Sequence, residues 1–215
     1  MEGPSIFDLK KARAAQELLS KKVSEEHTGG AFETVCGMDV SYRGERGAGA
    51  AVVLSYPDLK ILETKVVFRP VVVPYTPTFL AFREMPFFTA LIRRLERRPD
   101  VFMIDGHGIY HPAFCGSASH FGVVFDVPTI GVAGGLMRLE GEVKNGGVIL
   151  LKGRRVGMVL RDGKKGVYVS VGHKMKLDMA ANIVRGCIRG HRKPEPLFLA
   201  DSISRGAIRG DVHGE

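Results

Sequence analysis

The spacing of apolar and polar residues divides this chain into segments of different period. From Ser5 to about Ser24, Ile6, Leu9, Ala12, Leu18 and Leu19 leave one apolar face between lysines, and Ser5 with Asp8 fits a capping box, which predicts a helix. Three β-rich stretches follow, about Phe32 to Tyr42, Gly49 to Tyr56 and Ile61 to Arg69. They are separated by RGERG and YPDLK, whose Gly, Pro and Asp are turn residues, so an antiparallel meander is expected. Pro70, Pro74 and Pro77 interrupt regular structure before helical periodicity resumes from Phe79 to Arg97. VFMID, from Val101 to Asp105, is a continuous apolar run closed by an acid, as expected of a buried strand leaving the core. A Ser- and Gly-rich segment that could be helical comes next, then a second buried strand in PTIGVA. A hairpin from Leu150 to Val171, turning at Asp162 to Lys165, and a helix from Met175 to Arg189 follow. Three antiparallel strands and then alternating helices and strands predict a mixed α/β sheet.

Composition narrows the class. At 215 residues, 45% hydrophobic and 25% charged, the chain can bury a core, and one domain over 1–215 is expected, with a loosely ordered tail over about 206–215. The three cysteines, Cys36, Cys115 and Cys187, form no CxxC pair, which fits a reducing compartment and excludes a disulfide scaffold. No apolar run reaches the roughly 18–20 residues of a membrane span, and MEGPSIFDLKKARAAQ lacks the apolar core of a signal peptide. A soluble, cytoplasmic protein with no membrane partner is therefore expected. Lys and Arg number 31 against 23 Asp and Glu, a formal charge of +8 that favours an anionic partner such as nucleic acid.

Four acids stand where they need explaining. In CGMDVSY, period-two alternation puts Gly37, Asp39 and Ser41 on one strand face, a polar and sparsely filled one, and Cys36, Met38 and Val40 on the other. A mid-strand carboxylate needs a cation, a set of donors, or exposure; an exposed polar face or a salt bridge explains Asp39 as well as a cleft does. Asp105 ends VFMID just before two glycines, at the carboxyl end of a strand where ligands collect in open α/β sheets. Two strand acids meeting at one edge suit a divalent ion such as Mg²⁺. Glu84 beside Arg83 reads equally as a solvated helix residue, and Asp201 as an N-cap or exposed polar group. GHGIYH has His where a dinucleotide loop wants Gly, and no GxxxxGK[ST] occurs. His107, His111 and His120 fit no zinc spacing, although His111 could act beside the acids as a phosphate donor or proton carrier.

Five blocks, in order, resemble endonuclease V, the deoxyinosine 3′ endonucleases: GMDVSY at 37–42, VPYTPTFLAFREMP at 73–86, IDGHGIYHPAFCGSASHFGV at 104–123, PTIGVA at 128–133 and PEPLFLAD at 194–201. The resemblance implies a ribonuclease H-like mixed sheet flanked by helices. It implies Mg²⁺-dependent hydrolysis, with Mn²⁺ able to substitute, of the second phosphodiester 3′ to a deaminated purine. The products would carry 3′-hydroxyl and 5′-phosphate ends, as in DNA repair. The partner would be DNA containing deoxyinosine, or RNA containing inosine, and the protein a monomer. Asp39 and Asp105 match the family's central metal ligands, Glu84 its third acid, and Asp201 a position held by Asp or His; with His111 these are the expected catalytic residues. Pro74, Tyr75, Thr76 and Pro77 match a strand wedge whose ring, Tyr75, would fill the place of an extruded base. Leu80, Gly106 and Gly116 would frame the base pocket. Lys164, Lys165, Arg189, Arg192 and Lys193 are expected at phosphates.

Two departures stand out. The family usually has lysine directly after IGVA, where this chain has Gly134 and Gly135, so Lys144, Lys152 or another nearby cation must substitute, or turnover is weakened and an inosine-binding protein remains. Thr78 stands where the wedge is commonly followed by Gly, which would narrow the pocket or alter base choice.

Overall fold

The computed structural model describes residues 7–27, 29–137, 141–162 and 165–210. Its centre is a nine-stranded sheet in the order β3-β2-β1-β4-β5-β9-β8-β7-β6. Strands β1 (Thr34–Arg43), β2 (Arg46–Ser55) and β3 (Ile61–Pro70) form the expected antiparallel meander. Strand β4 (Val101–Asp105) lies parallel to β1 and to β5 (Thr129–Ala133). The hairpin of β8 (Arg154–Asp162) and β9 (Lys165–His173) pairs Asp162 with Lys165 as expected, and β9 runs antiparallel to β5. Short strands β6 (Gly141–Val143) and β7 (Val148–Leu151) extend the sheet beyond that hairpin. The hairpin expected from Leu150 onward thus spans the end of β7 as well as β8. Lys152 and Gly153 both have positive φ and fold the chain back between them.

Helices cover both faces. On one face α2 (Leu80–Arg94) packs Phe87, Phe88 and Leu91 over the β1–β3 meander, and α3 (Ser117–Phe125) packs Ala118 and Phe121 beside it over β4, β5 and β9, where Phe121 meets Phe102. Each such fully buried large apolar side chain contributes roughly 1.5–3 kcal/mol. On the opposite face, α5 (Glu195–Arg209) sets Leu197 and Ala200 over β1 and β2, which carry Val35, Val52 and Leu54, while α4 (Leu177–Gly186) sets Ala180 and Val184 over β8 and β9. This mixed sheet between helices is the expected ribonuclease H-like fold.

Some boundaries differ from expectation. Helix α1 (Leu9–Ser20) starts after Asp8, whose carboxylate accepts from the amides of Lys10 at 2.9 Å and Lys11 at 3.1 Å, so Asp8 is the cap. Ser5 lies outside the described residues. Helix α5 was not anticipated, and it runs to Arg209 with Ala207 buried, so the chain does not loosen at 206; residues 211–215 lie outside those described. Its apolar positions Leu197, Ala200 and Ala207 follow helical spacing from a proline-bearing start at Pro194 and Pro196. Among the described residues no helix is long and apolar enough to cross a membrane.

Candidate active site

Helix α5 determines what Asp39 meets. Gly37, Asp39 and Ser41 do share one face of β1, but that face is covered: a Cβ on Gly37 would lie 2.1 Å from the Pro196 carbonyl oxygen. Only glycine admits the helix this close. Ser204 then donates to Asp39 Oδ2 at 3.1 Å and shares a hydrogen bond with Ser41 at 2.8 Å. The parallel register pairs Met38 with Ile104, so Asp39, midway along β1, lies beside Asp105 at the end of β4. Asp201, in the second turn of α5 and not at its cap, completes the group. Asp39, Asp105 and Asp201 each present an oxygen within 4.8 Å of the others.

The fourth acid approaches from the other side of the sheet. Glu84 of α2 is buried, with Ser117, the first residue of α3, donating to its carboxyl, while its Oε2 has no partner. It is therefore not the solvated helix residue that its neighbour Arg83 suggested. Burial, and then the Asp39 and Asp105 charges, hold the Glu84 carboxyl well above its usual range. Burial and the Asp105 charge, opposed by Lys193, with Asp201 adding to the rise, push Asp39 up to about 7. A set of hard oxygen donors, with one buried oxygen unpartnered and two carboxyls whose pKa is raised, has the composition of a divalent-metal site. These carboxylates could hold such an ion.

A cation of the chain already reaches into this group. Lys193, in the segment before α5, places Nζ 2.6 Å from Asp105 Oδ2 and 3.0 Å from Asp201 Oδ1. It was expected at phosphates with Arg189 and Arg192. Arg189 instead spends its guanidinium on the carbonyls of Gly186, Ile188 and Pro57, closing the end of α4. Arg192 donates to the Gly134 carbonyl. Lys164 and the side chain of Lys165 lie outside the described residues. Neither suggested substitute for the lysine after IGVA is at the acids: Lys144 pairs with Glu142, and Lys152 sits 5.9 Å over the Phe114 ring.

Next to the acids is a pocket of about 190 Å³, lined by Tyr75, Thr78, Leu80, Gly106, His111, Gly116 and Ser117 among others. All three residues expected to frame it are there. A Cβ on Gly116 would approach the His107 carbonyl oxygen to 2.3 Å, so this wall has no room for a side chain. Tyr75, between Pro74 and Thr76 at the rim, is 68% exposed, far more than an anchoring ring would be. His111 belongs to this pocket and not to the acid cluster. Its Nδ1 accepts from the Ala113 amide, so Nε2 carries the proton and donates to the Thr78 carbonyl at 2.8 Å. Burial pushes its pKa down to about 4, and both ring nitrogens are engaged in hydrogen bonds.

Thr78 explains why glycine suits its position: φ is +69°, a left-handed conformation unfavourable for a β-branched residue. Three groups hold it there. Arg13 donates to its hydroxyl at 3.0 Å, and Gln16, at 2.7 Å, and His111 donate to its carbonyl. Replacement by glycine relieves strain but loses the Arg13 bond, so Thr78→Gly is expected to stay within about 1 kcal/mol of the parent. Thr78→Val keeps the strain without the bond and should lose about 1–2 kcal/mol. Thermal melts of both variants check the order, and a valine variant as stable as the glycine one contradicts it.

Comparison with known proteins identifies the family. The model of the endonuclease V family matches residues 16–202. The chain is 41% identical to the endonuclease V of Thermofilum pendens over 97% of its length and 93% of that relative, and 42% identical to that of Ignicoccus hospitalis over 94% and 97%. Among solved structures, the Streptomyces avermitilis endonuclease V superposes with a TM-score of 0.87 at 33% identity, covering 98% of this chain and 97% of that one. The Ciona intestinalis endonuclease V in complex with a 23mer DNA containing an inosine followed by a ribo-adenosine gives 0.88 at 30%, covering 96% and 100%. The chain belongs to the endonuclease V family, nucleases that cleave phosphodiester bonds.

Proposed function

We propose that this chain is a Mg²⁺-dependent endonuclease of DNA repair that recognises inosine and hydrolyses the second phosphodiester on its 3′ side, leaving 3′-hydroxyl and 5′-phosphate ends. One observation carries the reading: the acids and the pocket are continuous. Gly106 of the pocket directly follows Asp105, and Ser117 both lines the pocket and bonds Glu84.

Each part has a role that follows from its place. Asp39, Asp105, Asp201 and Glu84 would hold the metal, with Mn²⁺ able to substitute; all are short oxygen ligands on rigid elements. When bound, the ion supplies positive charge against that gathering on the phosphoryl oxygens in the transition state. Exposed Tyr75, braced by Pro74 and Pro77, enters the base stack and offsets part of the few kcal/mol that extrusion costs. The pocket receives the base. A dry cavity of roughly 150 Å³ takes up benzene, so one of about 190 Å³ with an open mouth admits a base ring. Hypoxanthine differs from adenine at O6 and N1, which main-chain groups around Gly106 and Gly116 can read. All four acids come from one chain, so the proposed site needs no second copy, and three buried free cysteines support a reducing, cytoplasmic setting.

A second reading, an inosine-directed ribonuclease, is favoured by the ribo-adenosine beside inosine in the Ciona intestinalis complexes. The test is parallel cleavage of end-labelled DNA and RNA with single inosines, in Mg²⁺, Mn²⁺ or EDTA. A nick at the second bond 3′ to inosine, lost in EDTA and weakened by Tyr75→Ala through affinity more than rate, is expected. Cutting that ignores inosine or survives EDTA would sink the proposal.

A further inference from the structure

Lys193 is the least expected charge in the molecule. Its side chain is 26% exposed and lies between acids of two different elements, Asp105 at the end of β4 and Asp201 on α5. An ammonium offers three donors and no acceptor, so among three carboxylates it occupies the kind of place a metal ion would. Its approach is constrained by the backbone. Pro194 follows it, which keeps Lys193 extended, and Glu195 ties the segment back by donating to the Cys187 carbonyl at 2.7 Å. The same segment covers Gly134: a Cβ there would sit 3.4 Å from the Arg192 guanidinium. Residue 134 is glycine, and the cation comes from the neighbouring segment instead.

We propose that Lys193 is the built-in cation of this site: it holds Asp105 and Asp201 together in the metal-free protein, competes with the divalent ion for them, and supplies at the scissile phosphate the ammonium that residue 134 does not. Arg205 also pairs with Asp201 Oδ1, at 2.9 Å, and the two cations still do not neutralise four acids, which leaves the site able to take an ion; releasing Lys193 from its carboxylates frees the ammonium for phosphate. The cleavage role rests on the function proposed above; the competition does not.

The experiment uses full-length protein with Lys193→Met, with Lys193→Gln as a milder change should the methionine variant fold poorly, and with Lys193→Met combined with Gly134→Lys. A Cβ at 134 would be at ordinary contact distance from the Arg192 guanidinium, so the backbone there accepts a side chain. Calorimetry with MnCl₂, without nucleic acid, is expected to show at least fivefold tighter binding by Lys193→Met. Single-turnover cleavage of an inosine duplex should fall by about 10²–10³, the loss typical of one electrostatic group, with substrate affinity changed far less. Gly134→Lys should recover at least tenfold. Unchanged or weaker Mn²⁺ binding overturns the competition, and wild-type cleavage by Lys193→Met overturns the catalytic role. A wild-type protein that never cuts inosine DNA would instead remove the function, while the Mn²⁺ titration would still decide what Lys193 does.

Discussion

Replacing Asp105 by asparagine is expected to lower cleavage of an inosine-containing strand by at least about 10³-fold while leaving the protein folded. Removal of one electrostatic contributor to a transition state commonly costs 10²–10³. Asp105 is expected at the upper end because it does two things: its oxygen lies within 4.8 Å of those of Asp39 and Asp201, and it anchors Lys193 at 2.6 Å. The fold should survive, because the asparagine side chain loses that ion pair but also relieves the repulsion that Asp105 exerts on Asp39 and Glu84. Thermal melts in EDTA should therefore move by only a few degrees. Single-turnover kinetics and Mn²⁺ calorimetry on the same preparation separate chemistry from folding. A variant within tenfold of wild type, or one that binds Mn²⁺ normally, would remove Asp105 from the site. Asp39→Asn should behave likewise and add a pH signature. Since Asp39 is pushed up to about 7, a metal must displace its proton below that pH, so wild-type affinity should climb as pH rises toward 7 and then flatten. The asparagine variant should lack that contribution.

How much of this could be read without coordinates depended on the range of the interaction. The meander, the strand VFMID and the β8–β9 turn are written in local alternation and turn chemistry, and they appear where expected. The shared face of Gly37, Asp39 and Ser41 was legible as well, but not what covers it. The small residues are there because α5 crosses them, with Pro196 against Gly37, from more than 150 residues away in sequence. Glu84 shows the same limit. Its neighbour Arg83 suggested a solvated pair, yet Arg83 turns to the Val73 carbonyl at 3.0 Å and to the Tyr42 ring, leaving the carboxyl buried. Lys193 was visible only as one basic residue among several before PEP, because proximity to Asp105 is a property of the β4 end and the α5 start together. The missing signal for His111 was its partner: nothing local to GHGIYH points to the carbonyl of Thr78, 33 residues earlier.

Glu84→Gln should move stability and activity in opposite directions. In the metal-free protein Glu84 is buried with Oε2 unpartnered and the Asp39 and Asp105 charges close enough to raise its pKa. An unsatisfied buried polar atom costs about 1–3 kcal/mol. An amide of the same shape carries no charge, and its NH₂ can donate toward the neighbouring carboxylates, so the metal-free variant should gain stability of that order. For a domain of this size about 1 kcal/mol corresponds to roughly 2–4 °C, so a rise of several degrees in EDTA is expected. The sign with pH follows from the raised pKa. The folded state holds the Glu84 proton more tightly than the unfolded chain does. Wild-type stability is therefore fullest below the unfolded value of 4.5 and declines as pH rises above it. The advantage of glutamine should accordingly be largest near pH 8 and fade toward pH 4.5. With metal present the comparison reverses: the wild-type carboxylate gains a partner, the amide is a poorer ligand, and cleavage should drop by 10² or more. Melting curves across pH with and without Mn²⁺ test the crossing. A glutamine variant that melts below wild type in EDTA at pH 8 would mean that Glu84 is stabilised by its surroundings and is not held there for a metal.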